Sequence, residues 1–168
     1  MSGLAAASFG VSRTYATTVE RLWAAFTRPE ELALWYMPPS ARLVRNAMNL
    51  SVGGTYVYGL AMPDGGTMWG KWDISRVEPP ALLTFVQCFT DEAGALARNP
   101  HDPDWPRWLR SEFRFAMQGG GATVTVNAAP LDPSGAETAA FRKGLASMSQ
   151  GWERVLDALE ARLTARTD

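Results

Sequence analysis

Residues Glu137–Leu163, ETAAFRKGLASMSQGWERVLDALEARL, decide the fold. Phe141, Leu145, Met148, Trp152, Val155, Leu159 and Leu163 recur at steps of three and four, the spacing of one helix face. A helix of these 27 residues, at about 1.5 Å per residue, spans roughly 40 Å and can lie across a whole curved sheet. Such an arrangement makes a groove between helix and sheet.

The sequence before this helix reads as aromatic-rich strand. Phe9, Val11 and Tyr15 alternate with Ser8, Gly10, Ser12 and Thr14, the period-two pattern of a half-buried strand. Thr17 with Glu20 three residues on is a capping-box signal, and Val19, Leu22, Trp23 and Phe26 then give a short helical face. Thr27, Pro29 and Glu30 repeat the start signal for a second short helix, which Pro38-Pro39 ends. A weak extended stretch at Arg42–Val44 leads to the Gly53-Gly54 turn. Tyr56, Tyr58 and Leu60 then share a strand face, the Pro63-Asp64-Gly65-Gly66 turn reverses the chain, and Met68, Gly70, Trp72 and Ile74 share the next. After Glu78-Pro79-Pro80 come Leu83, Phe85, Gln87 and Phe89, then a polar loop from Asp91 to Pro106. Leu109, Ser111, Phe113, Phe115 and Met117 follow, then the Gly119-Gly120-Gly121 hairpin and Val124, Val126 and Ala128. The predicted order is strand, two short helices, five or six strands and one long helix. That is an α+β fold with a curved antiparallel sheet whose aromatic face the terminal helix covers.

Composition narrows the function. With 168 residues, 46% of them apolar, the chain builds its own core as one domain over 1–168, with an ordered part of about 9–163. Sixteen Lys and Arg against seventeen Asp and Glu give no net field to attract nucleic acid or an anionic membrane. Cys88 is the sole cysteine and cannot form an internal disulfide, and a single histidine leaves no usual Cys/His zinc site. No metal and no cofactor are expected, and a reducing cytoplasm fits best. The start, MSGLAAASFG, has neither the charged segment nor the sustained apolar run of a signal peptide, and no stretch approaches a membrane span.

Several residues are candidates for chemistry. Tyr56, Tyr58, Trp72, Phe85, Phe89, Phe113 and Phe115 fall on the inward strand faces, with Met148 and Trp152 opposite on the helix. They are either a packed core or the lining of a pocket. Gln87, Ser111 and the two tyrosines share the inward parity, and an unpartnered buried polar group costs roughly 1–3 kcal/mol. Water or a ligand is therefore expected to reach them, and an apolar lining with a few polar groups suits a small-molecule site. Gly144, Ser147 and Gly151 line one side of the helix, giving close packing on the sheet or, at Gly151, space for a ligand. In His101-Asp102-Pro103-Asp104-Trp105-Pro106 the histidine is a candidate general base oriented by Asp102 or Asp104, or the segment is a proline-stiffened surface loop. Trp105 and Trp108 make the same loop a candidate lid. Glu112 with Arg110 and Arg114 points outward, where cross-strand pairs are expected, and Cys88 is also outward.

The segments VSRTYATTVERLWAAFTRPEELALWYMP, Gly53-Gly54, VEPPALLTF and MSQGWERVLDALEARL resemble the START-like (SRPBCC, helix-grip) superfamily. They are most similar to single-domain homologues of the heat shock protein 90 ATPase activator. The resemblance runs from about Phe9 to Leu163 and implies a cavity between helix and sheet, with Trp35 near one end. It implies binding of an apolar or aromatic small molecule, with Tyr56, Tyr58 and Gln87 orienting it. The alternatives are a cyclase or hydrolase using Tyr58 or His101 as acid/base, and a co-chaperone-like module that stimulates a heat-shock ATPase. About eight residues precede the first strand, which disfavours the ATPase partner; a homodimer is open.

Overall fold

The structure, a computed structural model, describes residues 7–164; the part of the leader reading that concerns residues 1–6 lies outside them. Strand β1 (Phe9–Tyr15) is followed by helices α1 (Val19–Thr27) and α2 (Pro29–Trp35). Strands β2 (Arg42–Met48), β3 (Thr55–Ala61), β4 (Thr67–Glu78) and β5 (Leu82–Thr90) come next. A two-residue strand β6 (Leu96–Ala97) precedes β7 (Leu109–Gln118) and β8 (Gly121–Pro130), and α3 (Gly135–Thr164) closes the chain. All pairings are antiparallel, in the order β1-β8-β7-β5-β4-β3-β2, with β6 added to the end of β5. This is the expected α+β helix-grip architecture. The small extra strand β6 lies inside the segment read as a polar loop.

The helix starts differ from their sequence signals. Thr18, not Thr17, caps α1, its hydroxyl accepting from the Arg21 N–H at 3.1 Å. Thr27 does not start α2 but ends α1, donating to the Trp23 carbonyl. Helix α3 begins two residues before Glu137, because Ser134 and Glu137 form a capping box. Arg114 pairs with Glu112 along its own strand instead of across strands. Met117 is 63% exposed, for it lies at the far end of β7 beyond the covering helices.

The aromatic face is not covered by α3 alone. Leu22, Trp23, Ala25 and Phe26 form the buried stripe of α1, and Phe26 meets Phe113 at 5.0 Å and Phe115 at 5.3 Å between ring centres. Trp35 on α2 closes on Phe26 at 4.6 Å, and its indole N–H donates to the Ala25 carbonyl. The short helices thus bury the half of the sheet that sequence periodicity assigns to the long one. Helix α3 instead rests along β1 and β8 and against α2. Tyr15 Oη donates to the Leu156 carbonyl at 2.9 Å, and Arg13 reaches Glu153 and Asp157. Glu31 lies between Arg21 and Arg162, joining α1, α2 and α3.

Two apolar clusters result. The larger holds α1, α2, the β3–β5 face and Leu156 and Leu159 of α3. The smaller groups Phe9, Leu109, Ala128 and Phe141, with Trp105, Leu145 and Met148 around them.

Candidate functional site

A cavity of about 230 Å³ opens at the seam between these clusters. Its floor is Phe85, Gln87 and Phe89 on β5, Leu109, Ser111 and Phe113 on β7, and Val126 and Ala128 on β8. These positions share a face because strand side chains alternate and the register sets Ser111 opposite both Phe85 and Ala128. Met148 and Trp152 of α3 form the roof, Tyr36 at the end of α2 forms one wall, and Asn99, Trp105 and Pro106 form the other. Met148 and Trp152 stand four residues apart, so one helical turn presents both to the floor.

Of the residues expected to line a pocket, the cavity brings together Phe85, Gln87, Trp105, Ser111, Phe113, Met148 and Trp152. Trp35, Tyr56, Trp72 and Phe115 instead belong to the packed core, because α1 and α2 cover that part of the sheet. Tyr56 donates to Asn46 Oδ1 at 2.7 Å, and Asn46 in turn donates to the Pro29 carbonyl, so that hydroxyl is satisfied without a ligand. Tyr58 crosses Gly70, where any Cβ would lie 2.3 Å from its ring, and comes alongside Gln87 on the far side of β4. It is core as well, and burial pushes its phenol up to about 12. Gly151 is not on the cavity wall, and a Cβ there would meet nothing within 4 Å. Gly144, by contrast, is tightly approached by Trp105.

His101 sits on the exposed rim of its loop and does not border the cavity. Its N–H donates to Asn99 Oδ1, and Asp102 caps the Asp104 N–H, so the carboxylate that would orient a catalytic base instead shapes a turn. Trp105 and Pro106 of this loop do reach the cavity, with Trp105 5.6 Å from Phe141. The loop is pinned by Glu137, whose Oε2 accepts from the Arg107 N–H at 2.7 Å. Burial alone would raise this carboxyl, but hydrogen bonds from Arg107 and Ser134 and the Arg107 charge together hold it below its ordinary value.

Phe89 lines the cavity as its inward parity predicts, whereas Tyr36, one residue beyond the expected Trp35, is a wall residue not expected there, along with Asn99, Leu109, Val126 and Ala128. Leu109, Val126 and Ala128 stand on the same inward faces, a signal that could have found them. Asn99 sits in an irregular loop with no such signal. Cys88 borders the cavity from the outward parity and is buried, with Lys71 and Asp73 nearby. Among the described residues no acidic, cysteine and histidine cluster could hold a metal, and no helix is long and apolar enough to cross a membrane.

A curved sheet gripped by a long helix, with a cavity between them, defines a helix-grip protein. Residues 16–164 match the family described as Activator of Hsp90 ATPase homolog 1-like protein, and the chain belongs to that family. Solved structures agree on the fold. A solution structure from Arthrobacter aurescens, 23% identical, superposes with TM-score 0.77 over 97% of this chain and 89% of that one. A Mycobacterium smegmatis crystal structure, also 23% identical, gives 0.74 over 94% and 91%, and one from Rhodobacter sphaeroides, 19% identical, gives 0.75 over 96% and 95%. No curated protein matches the chain.

Proposed function

We propose that this protein binds an apolar ring molecule in the cavity between the middle of α3 and the β5–β7–β8 floor. The observation that carries the reading is a roofed cavity of about 230 Å³ whose walls are mostly aromatic and aliphatic, yet include Gln87, Ser111, Asn99 and Tyr36. An apolar cavity of ~150 Å³ accommodates benzene, so this one suits a compound of one or two rings. Trp152, 6.0 Å from Phe113 and 5.9 Å from Tyr36, presents its ring over this space. A reducing cytoplasm is the compartment that goes with the lone Cys88.

The test is a thermal-shift screen of ring compounds. A ligand at 100 times its Kd adds about 2.7 kcal/mol, a shift of roughly 5–10 °C at this size. A shift abolished by Trp152→Ala supports binding in the cavity; a flat screen overturns it. The family description suggests a second reading, stimulation of an Hsp90 ATPase, which depends on the outer surface. Stimulation of a purified ATPase that persists in Trp152→Ala would favour that reading.

A further inference from the structure

The polar groups on the cavity wall limit what fits in two ways. First, none is charged: the wall contains no Asp, Glu, Lys, Arg or His. Arg110, Glu112 and Arg114 stand on the opposite face of the sheet, and His101 is on the exposed loop. A carboxylate or ammonium in the cavity would be stripped of water with no opposite charge to meet it.

Second, the Ser111 and Tyr36 hydroxyls are unengaged. Ser111 is 4% exposed, and its hydroxyl has no hydrogen-bond partner among the described residues. Tyr36 is packed between Trp72 and Trp152 at ring distances of 6.0 and 5.9 Å, and its hydroxyl likewise has no described partner. The Gln87 amide meets only Tyr58. Ser111 and Gln87 lie diagonally on neighbouring strands of the floor, since Gln87 pairs with Leu109 and Ser111 with Phe85. Tyr36 faces them from the wall. An apolar ligand would leave the Ser111 and Tyr36 hydroxyls unsatisfied, and an ionised one would bury its charge.

We infer that the cavity selects an uncharged, oxygen-substituted aromatic compound, of the phenol or aryl ketone kind, through Ser111, Gln87 and Tyr36, and rejects the matching carboxylates. The inference rests on the binding reading above and narrows it. Burial keeps the Tyr36 phenol well above its usual range, so it remains a neutral donor through physiological pH.

Three probes of nearly equal size separate the possibilities: naphthalene, 2-naphthol and 2-naphthoate, titrated calorimetrically near neutral pH. Naphthol is expected to bind about tenfold tighter than naphthalene, the worth of one well-placed hydrogen bond, and naphthoate at least about tenfold weaker than naphthol. Combining Ser111→Ala with Tyr36→Phe breaks no described hydrogen bond. It should abolish the naphthol preference, read as the ratio of naphthol to naphthalene affinity within the same variant, while leaving the melting temperature in place. Naphthoate binding as tightly as naphthol, or a naphthol preference that survives the double variant, would overturn the inference and leave the cavity reading standing. Failure of all three probes to bind would overturn both.

Discussion

Trp105 lies directly over Gly144, where a Cβ would stand 2.7 Å from Cζ3 of the indole. The missing side chain in α3 is what lets the loop tryptophan seat against Phe141 and close one wall of the cavity. Leucine is a better helix former than glycine, so any loss of stability in Gly144→Leu comes from packing and not from propensity. The variant is expected to lose about 1–3 kcal/mol in urea unfolding through overpacking. In a Trp105→Ala background the same substitution should cost nothing, a coupling that a double-mutant cycle reads directly.

Gly151 behaves in the opposite way. With nothing within 4 Å of its Cβ position, Gly151→Ala should stabilise the protein by roughly 0.5–1 kcal/mol through helix propensity alone. Thermal unfolding measures it, and a loss of stability would show that the helix backbone needs the glycine after all.

Glu137 joins the start of α3 to the Trp105 loop, and its carboxylate form makes those bonds. Because its folded value lies below the ordinary 4.5, its contribution is complete above that pH and fades as the pH falls through the folded value. Glu137→Gln should cost about 1–2 kcal/mol at neutral pH, where the capping and loop bonds are weakened. The gap between variant and parent should narrow in acid. A gap independent of pH would mean the charge is irrelevant.

All four tyrosines, Tyr15, Tyr36, Tyr56 and Tyr58, have phenols raised by burial. A raised folded value favours the neutral form, so this stability is intact below pH 10, the unfolded value, and is lost as pH climbs through the folded ones, about 12 for Tyr58. Absorbance of phenolate should therefore stay flat in the folded protein through pH 10 and rise together with unfolding. A tyrosine titrating near 10 without loss of circular dichroism would identify a phenol open to solvent.

The elements themselves were legible. Alternation marks β1, β3–β5, β7 and β8, and the steps of three and four mark α3, because each period reports a single buried face. The site was legible in part. Phe85, Ser111 and Phe113 share a parity with Tyr58 and Trp72, and parity cannot distinguish the stretch of sheet that α1 and α2 cover from the stretch left under α3. That division depends on tertiary packing of Phe26 and Trp35. Tyr36 illustrates the limit at the smallest scale. Tyr36 keeps helical backbone angles, and the turn of about 100° between adjacent helical residues aims it, not Trp35, at the cavity. Gly144 and Gly151 looked alike in the helix pattern, and only the position of Trp105 separates them.

The division of the interior into a large and a small cluster has a consequence for motion. The small one depends on few side chains, Phe9, Leu109, Ala128 and Phe141, whereas Leu156 and Leu159 tie the end of α3 into the large one. Local opening costs least where least apolar surface is buried. The first half of α3 and the Trp105 loop are therefore expected to open locally before the rest of the molecule does. Amide exchange should be faster ahead of Met148 than around Leu156. Such opening would expose the cavity past the front of the helix without the sheet having to part.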